Sequence, residues 1–232
     1  MLEPQGRVIM VSGVSRGIGR AVTGHLLARG YSVSAGMRDP EAFDLEGPHL
    51  MTARYDATDR ASHANWLEAT LDRFGRLDGL VNNAGISNRF AIDAGDEADL
   101  DALIGVNVKG PLFLTRICLP HLRASGAGRI VNVASLSGKR VRNDNIGYAM
   151  TKYALMALTH GTRRIGWEDG VRATALCPGF VATDLTAGVQ TIERDAMIAP
   201  EDLAVLAETV IALPNTASVA EMLVNCRHED ML

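Results

Sequence analysis

The sequence predicts an α/β fold built on one doubly wound parallel sheet with helices on both faces. Three observations predict it. Short apolar runs alternate with longer helical patterns along the whole chain, which demands a parallel sheet covered on both sides. The first run, Val8 to Ser12, is apolar throughout and ends in a glycine-rich turn, as a strand buried on both faces should. The chain has 232 residues, with no internal repeat, low-complexity tract or linker to divide it, so residues 1–232 read as a single domain.

After the first strand a helix runs from Gly17 to Ala28, with Gly30 as its stop. Tyr31 to Ala35 reads as the second strand and Leu50 to Tyr55 as the third. Asp59 caps a helix carrying Ala64, Leu67, Leu71 and Phe74 on one face, and Gly75 ends it. Leu77 to Asn82 is the fourth strand. A long, mostly helical stretch follows from about Glu97 to Arg123, interrupted by Pro111 and Pro120. Arg129 to Ala134 is the fifth strand, Asn145 to about Trp167 a helix, and Val171 to Cys177 the sixth strand. Pro200 to Leu213 forms a helix with proline in its first turn, and Glu221 to Cys226 reads as a seventh strand. Right-handed crossovers then give a Rossmann-type arrangement of about seven strands.

Apolar residues make up 47% of the chain and the mean hydropathy is +0.06, values of a globular protein. Net charge is −4, so no basic excess points to nucleic acid or to an anionic membrane. Cys118, Cys177 and Cys226 are odd in number and form no CxxC pair, which argues against disulfides or zinc. The first strand begins near the start of the chain, with no leader pattern before it. No apolar run approaches the ~20 residues that span a bilayer. The expectation is a cytoplasmic protein.

Two constellations carry chemistry. Gly13, Gly17 and Gly19 follow the first strand and open a helix. Such a turn lets the backbone approach a pyrophosphate closely, while the helix N-terminus supplies free N–H groups and partial positive charge. The spacing is G-x-x-x-G-x-G. An NAD site places Asp or Glu at the end of the second strand for the ribose hydroxyls. Here that end reads Gly36-Met37-Arg38, and Asp39 is followed by Pro40. Arg38, with Arg16 as a second cation, suits the 2′-phosphate of NADP(H), which is therefore favoured over NAD(H).

The second constellation is Tyr148 and Lys152, one helical turn apart, with Ser135 thirteen residues upstream at the end of the fifth strand. A phenol with pKa ~10 is a poor base, and a nearby cation lowers it by ~1–3 units. Lys152 is therefore expected to make Tyr148 a better proton shuttle. Ser135 lies where α/β sheets bind ligands, and its hydroxyl is placed to hold a substrate oxygen. Together the two groups point to a nicotinamide-dependent carbonyl or alcohol oxidoreductase.

These residues resemble the short-chain dehydrogenase/reductase family over nearly the whole chain. Ser12-Gly13-x-x-x-Gly17-Ile18-Gly19 is similar to its TGxxxGIG, with Ser for Thr, and Asn82-Asn83-Ala84-Gly85 to its NNAG. Asn107, Ser135, Tyr148 and Lys152 match its catalytic tetrad in order and spacing, and Pro178-Gly179 followed by Thr183 its PG motif. The resemblance implies that Tyr148 donates or accepts the substrate proton, and that Lys152 holds the nicotinamide ribose and depresses the Tyr148 pKa. Ser135 would polarise the substrate oxygen and Asn107 anchor a water in a proton relay. Pro178, Gly179, Val181 and Thr183 would position the nicotinamide carboxamide, and Asp56 would meet the adenine. Asn83, Ala84 and Gly85 would support the sheet and touch the adenosine ribose, and Ser12, Gly13, Ser15, Arg16, Gly17, Ile18 and Gly19 would form the pyrophosphate turn. Family habit implies a homodimer or homotetramer through the helix bearing Tyr148. Two departures stand out. The end, Asn225 to Leu232, lacks the glycine pair that often follows the seventh strand, and the covering stretch Asp184 to Ala196 is brief, which suggests an open pocket.

Lys139, Arg140 and Arg142 cluster just after Ser135, either as a solvated loop or as a steering patch for an acidic substrate. The six histidines show no ligand spacing, so no metal is expected. His160 reads as a surface or packing residue. The leading reading is a carbonyl reductase on small molecules. Alternatives are a 3-oxoacyl-carrier-protein reductase, which needs a basic face for its acidic carrier, and a non-catalytic NADP(H)-binding regulatory protein.

Overall fold

The computed structural model describes residues 1–229. Its strands are β1 (Val8–Ser12), β2 (Ser32–Met37), β3 (Leu50–Arg54), β4 (Gly79–Asn82), β5 (Arg129–Val133), β6 (Arg172–Pro178) and β7 (Glu221–Val224). They form one parallel sheet in the order β3-β2-β1-β4-β5-β6-β7. The order reverses between β1 and β4, so a crevice opens at the C-terminal ends of those two strands.

The helices are α1 (Gly17–Ala28), α2 (Arg60–Phe74), α3 (Glu97–Ile104), α4 (Gly110–Ala124), α5 (Ile146–Gly166) and α6 (Pro200–Ala212). Successive side chains of a strand face opposite layers. Ile9 and Val11 of β1 pack with Val22 and Leu26 of α1 and Leu203, Ala207 and Ile211 of α6. Met10 points the other way, toward Trp66, Leu67, Leu114, Cys118 and Leu122 of α2 and α4.

Strand ends move from their expected places because pairing, not composition, sets them. β2 runs on to Met37, since Gly36 pairs with Ser12 and Met37 with Arg54. β4 starts two residues late, at Gly79, where its pairing with Ile9 of β1 begins. β6 extends to Pro178 through its pairing with Val224.

The stretch expected to be broken by Pro111 and Pro120 is one continuous helical run, Glu97–Ala124. Pro111 sits in the first turn of α4 and Pro120 is accommodated inside it. The irregularity lies at Gly105–Lys109, a π-helical turn that carries Asn107. Such turns recur at functional sites because they re-aim a side chain. This 28-residue run, with a mean hydropathy of 1.4 in its most apolar window, is long and apolar enough to cross a membrane by length and composition, contrary to the expectation that no segment is. Its Leu114, Cys118 and Leu122 are fully buried against the sheet.

A buried polar chain ties the layers beneath the crevice. Asn82 donates to Asn132 at 2.8 Å and to Thr115 at 3.0 Å, and Asn132 donates to Thr159 at 2.8 Å. Left unpaired, each of these amides would be costly; linked, they fix β4, β5, α4 and α5 in one register.

Candidate active site

The glycine turn after β1 is held from behind. Ser12 is buried, and its hydroxyl donates to Val81 O at 3.3 Å and accepts from the N–H groups of Asn83 at 3.0 Å and Ala84 at 3.1 Å. The Asn83 amide donates to Ser12 O at 3.0 Å and Gly13 O at 2.9 Å. Both side chains thus staple the β1 turn to the β4 turn. The Ser12 hydroxyl, with one donor and two acceptor contacts, is fully engaged within the turn.

Close approach explains the glycines. A Cβ at Gly19 would lie 2.3 Å from Gly13 O and 2.4 Å from the Asn83 amide nitrogen, and one at Gly13 would lie 2.7 Å from Ala84 Cα. Gly13 and Gly17 also have positive φ, 71° and 57°. The N-terminus of α1 carries no side-chain cap and no acidic residue in its first turn. Its free N–H groups and dipole therefore fit an anion such as a dinucleotide pyrophosphate. Ser15 and Arg16 are exposed on this turn, while Ile18 leans into the apolar cluster between α1 and the sheet.

Arg38 is exposed just beyond β2, and Asp39 follows it. Asp56 stands past the neighbouring β3. Hydrogen bonds from the Thr58 N–H at 2.9 Å and hydroxyl at 2.7 Å hold its carboxyl below the ordinary carboxylate range, with Arg38 and Arg54 adding to this. Arg16 pairs with Asp184 at 3.2 Å, both side chains largely in solvent.

At the other end of the crevice, Ser135 follows β5 and Tyr148 lies in the first turn of α5. Asn145 caps α5, accepting from Tyr148 N at 3.4 Å and also from Phe90 N at 3.1 Å. The Ser135 hydroxyl accepts from Ser137 N at 3.1 Å. Burial pushes the Tyr148 phenol up to about 12, and a hydrogen bond from Ser135 pulls the other way. Lys152 is buried, its ammonium 2.9 Å from Val133 O and 5.4 Å from the centroid of the Tyr148 ring. Burial lowers its own pKa to about 8. The Tyr148 phenol is raised where a depression was expected: desolvation is the larger cause, and the Ser135 hydrogen bond opposes it.

Asn107 enters from the π turn. Its side chain accepts from Ile86 N at 2.9 Å and donates to Ile86 O at 2.9 Å and to Thr151 at 3.1 Å. Every polar atom of that amide is committed, so it positions the loop after β4 against α5. Gly85 lies between these groups: a Cβ there would be 3.3 Å from the Asn107 side-chain oxygen and 3.9 Å from the Lys152 ammonium. The two motifs, far apart in sequence, thus meet.

Pro178, at the end of β6, and Val181 beyond it are buried, and Gly179 and Thr183 partly so. Thr183 caps a short 3-10 turn, Asp184–Thr186. The covering stretch folds back on its stem: Val181 bridges Ile198, and Arg194 donates to the carbonyls of Ala182 at 3.2 Å and Thr183 at 3.3 Å. Gly17 faces Thr183, and these two line an open cavity of about 330 Å³ with Arg20, Asp184 and Arg194.

The cations after Ser135 are not a free patch. Lys139 pairs with Glu221 at 2.6 Å, and Glu221 also meets His160 at 2.8 Å. Arg140 grips Glu229 through two bonds of 2.7 Å, and Arg142 reaches the same carboxylate at 3.3 Å. Glu229 and Thr151 were invisible to sequence reasoning. Thr151 neighbours Lys152 but belongs to no recognised motif, and Glu229 meets its partner from 89 residues away.

With the glycine turn and the Ser135–Tyr148–Lys152 group at the C-terminal end of one sheet, the chain belongs to the short chain dehydrogenase family, whose sequence profile matches residues 7–194. It is 43% identical over 232 residues to the agropine synthesis reductase of Rhizobium rhizogenes, covering 98% of this chain and 54% of that protein. The chain therefore spans about half the length of that relative. It is 31% identical over 189 residues to the levodione reductase of Leifsonia aquatica, covering 77% of this chain and 71% of that one. The crystal structure of a 3-ketoacyl-(acyl-carrier-protein) reductase from Brucella melitensis, complexed with NADH, is similar with a TM-score of 0.86 and 26% identity, covering 96% of this chain and 98% of that chain.

Proposed function

We propose that residues 1–232 form a single dinucleotide-binding and catalytic domain that transfers hydride between NADP(H) and a small carbonyl or secondary alcohol. The observation that carries this reading is the meeting of Asn107 and Lys152 beside Gly85, with the Tyr148 ring near Lys152 and Ser135 bonded to Tyr148, at the same C-terminal end of the sheet as an uncapped glycine turn. The relatives' names, all reductases, support it.

The residues divide the work. Gly13, Ser15, Gly17, Gly19 and the first N–H groups of α1 would hold the pyrophosphate, Asp56 and Ala84 would border the adenosine, and Pro178, Gly179, Val181 and Thr183 the nicotinamide. The cofactor supplies the hydride. Ser135 would hydrogen-bond the substrate oxygen, and Tyr148 would give that oxygen its proton. A phenol pushed up to about 12 stays protonated at neutral pH, which suits the donor role in carbonyl reduction. Lys152 would hold the nicotinamide ribose. Asn107 would fix Thr151 and the Ile86 loop through its side-chain amide and anchor a water in the proton relay.

The preference for NADP(H) rests on Arg38 at the end of β2, with no carboxylate at Met37. Arg16, engaged by Asp184, adds less. Three free cysteines, two of them buried, fit a reducing cytoplasm. The outer face of α5 exposes Met150, Tyr153 and Ile165, which fits assembly into a homodimer or homotetramer through that helix.

A carrier-protein substrate has less support, because Glu221 and Glu229 neutralise the cations that would dock an acidic carrier. The deciding experiment is turnover of NADPH and NADH on diacetyl, cyclohexanone, pyruvate and an acetoacetyl thioester. Reduction of a free ketone or 2-oxo acid with NADPH is expected. Activity on the thioester alone would favour the carrier-linked alternative, and tight cofactor binding without any turnover would favour the regulatory one.

A further inference from the structure

The segment after β7 does not trail away. Gly179 N donates to Val224 O at 2.8 Å, and a Cβ on Gly179 would come within 3.9 Å of Cys226 Sγ. The Arg227 guanidinium lies 5.3 Å from the centroid of the Phe180 ring. Glu229, its side chain 4% exposed, then holds Arg140, 9% exposed, and Arg142. The same segment therefore touches the Pro178–Phe180 turn on one side of the site and the loop from Ser135 to Tyr148 on the other. Burial works against the Glu229 carboxylate, yet its two guanidinium partners outweigh that and hold its pKa below the usual range. A buried, doubly bonded carboxylate of this kind gives a defined geometry that an exposed ion pair does not.

We propose that residues 225–229 act as an intramolecular strap that sets the width of the substrate pocket, with Glu229 as the positioning residue for the loop between Ser135 and Tyr148. The proposal rests on the reading that Ser135 and Tyr148 face the substrate. Cys226 and Arg227 hold the nicotinamide-side turn, and Glu229 holds the opposite wall through Arg140. Glu221 reinforces it from β7 through Lys139.

The test is Glu229→Gln, which keeps the shape and removes the charge, beside Arg140→Gln and the double variant. With the best ketone from the panel above, Glu229→Gln should raise KM about tenfold while kcat and the NADPH Kd stay within about threefold. The double variant should cost no more than the worse single, because both remove one interaction. An unchanged KM, or a Kd that worsens in step with KM, overturns the proposal. Hydrogen exchange on the same proteins separates this from failure of the functional reading. Amides of residues 139–145 should exchange faster in Glu229→Gln than in the parent even if no carbonyl is turned over. Equal exchange in that loop refutes the strap whatever the enzyme does, and a general rise across the sheet would mark mere unfolding and refute it too.

Discussion

Lys152 directs its ammonium to the carbonyl of Val133, 2.9 Å away, and not to the Tyr148 hydroxyl. The carbonyl at the end of β5 anchors a buried cation that burial would otherwise push toward neutrality. The charge is thereby stored next to Gly85, at the place where the nicotinamide ribose is proposed to lie.

A pH dependence follows from that burial. The Lys152 pKa is lowered to about 8, so it is charged below that value and neutral above it. Tyr148, at about 12, stays protonated throughout the working range. Carbonyl reduction should therefore hold steady from pH 6 to 7.5 and fall above about 8. A kcat/KM profile that is flat to pH 10 would contradict a role for the charged lysine.

Tyr148→Phe removes the proton donor and keeps the ring that packs above Lys152. Turnover should drop by ~10²–10⁴-fold, the range for losing a general acid, with NADPH Kd unchanged. Single-turnover kinetics beside fluorescence titration measure both. Turnover at the parent level would remove Tyr148 from the chemistry.

Arg38→Asp places a carboxylate at the end of β2, where an NAD site carries one. A charge-assisted hydrogen bond is worth ~1.5–3 kcal/mol, so NADPH affinity should fall by ~10–100-fold or more. NADH affinity should fall little or improve. Parallel losses for both cofactors would mean that Arg38 stabilises the loop and does not read the phosphate.

Gly19→Ala forces a methyl group into backbone and amide atoms 2.3–2.4 Å away. Relief requires breaking the Asn83 staple between the two turns. A stability loss of ~1–3 kcal/mol is expected from overpacking, with cofactor affinity falling alongside. Urea unfolding and cofactor titration of the same sample report the two effects, and a neutral result in both would show the turn to be pliant.

Local pattern alone made much of this visible. Glycine spacing after β1, Asp59 as the cap of α2 and the apolar period of the strands are short-range features, and the structure places each near its expected position. Ser135, Tyr148 and Lys152 were also readable, because a strand end and one helical turn relate them. The bilayer-length helical run was missed because its prolines looked like breaks; tertiary packing carries Pro120 inside α4.

By itself, then, the sequence determined the parallel α/β order, the glycine turn and the candidate trio of Ser135, Tyr148 and Lys152, since pattern and spacing along the chain mark all three. Only the tertiary structure decided what their side chains do. It turned Ser12 and Asn83 inward as a staple, spent the Asn107 amide on Ile86 and Thr151, sent Lys152 to Val133 and closed Glu229 on Arg140. Each of these is a contact between segments apart in sequence, and its outcome depends on which partners the packed fold brings within reach of a buried polar group. Burial also reversed the expected sign at Tyr148, because desolvation is a property of the packed fold and of no single stretch of chain.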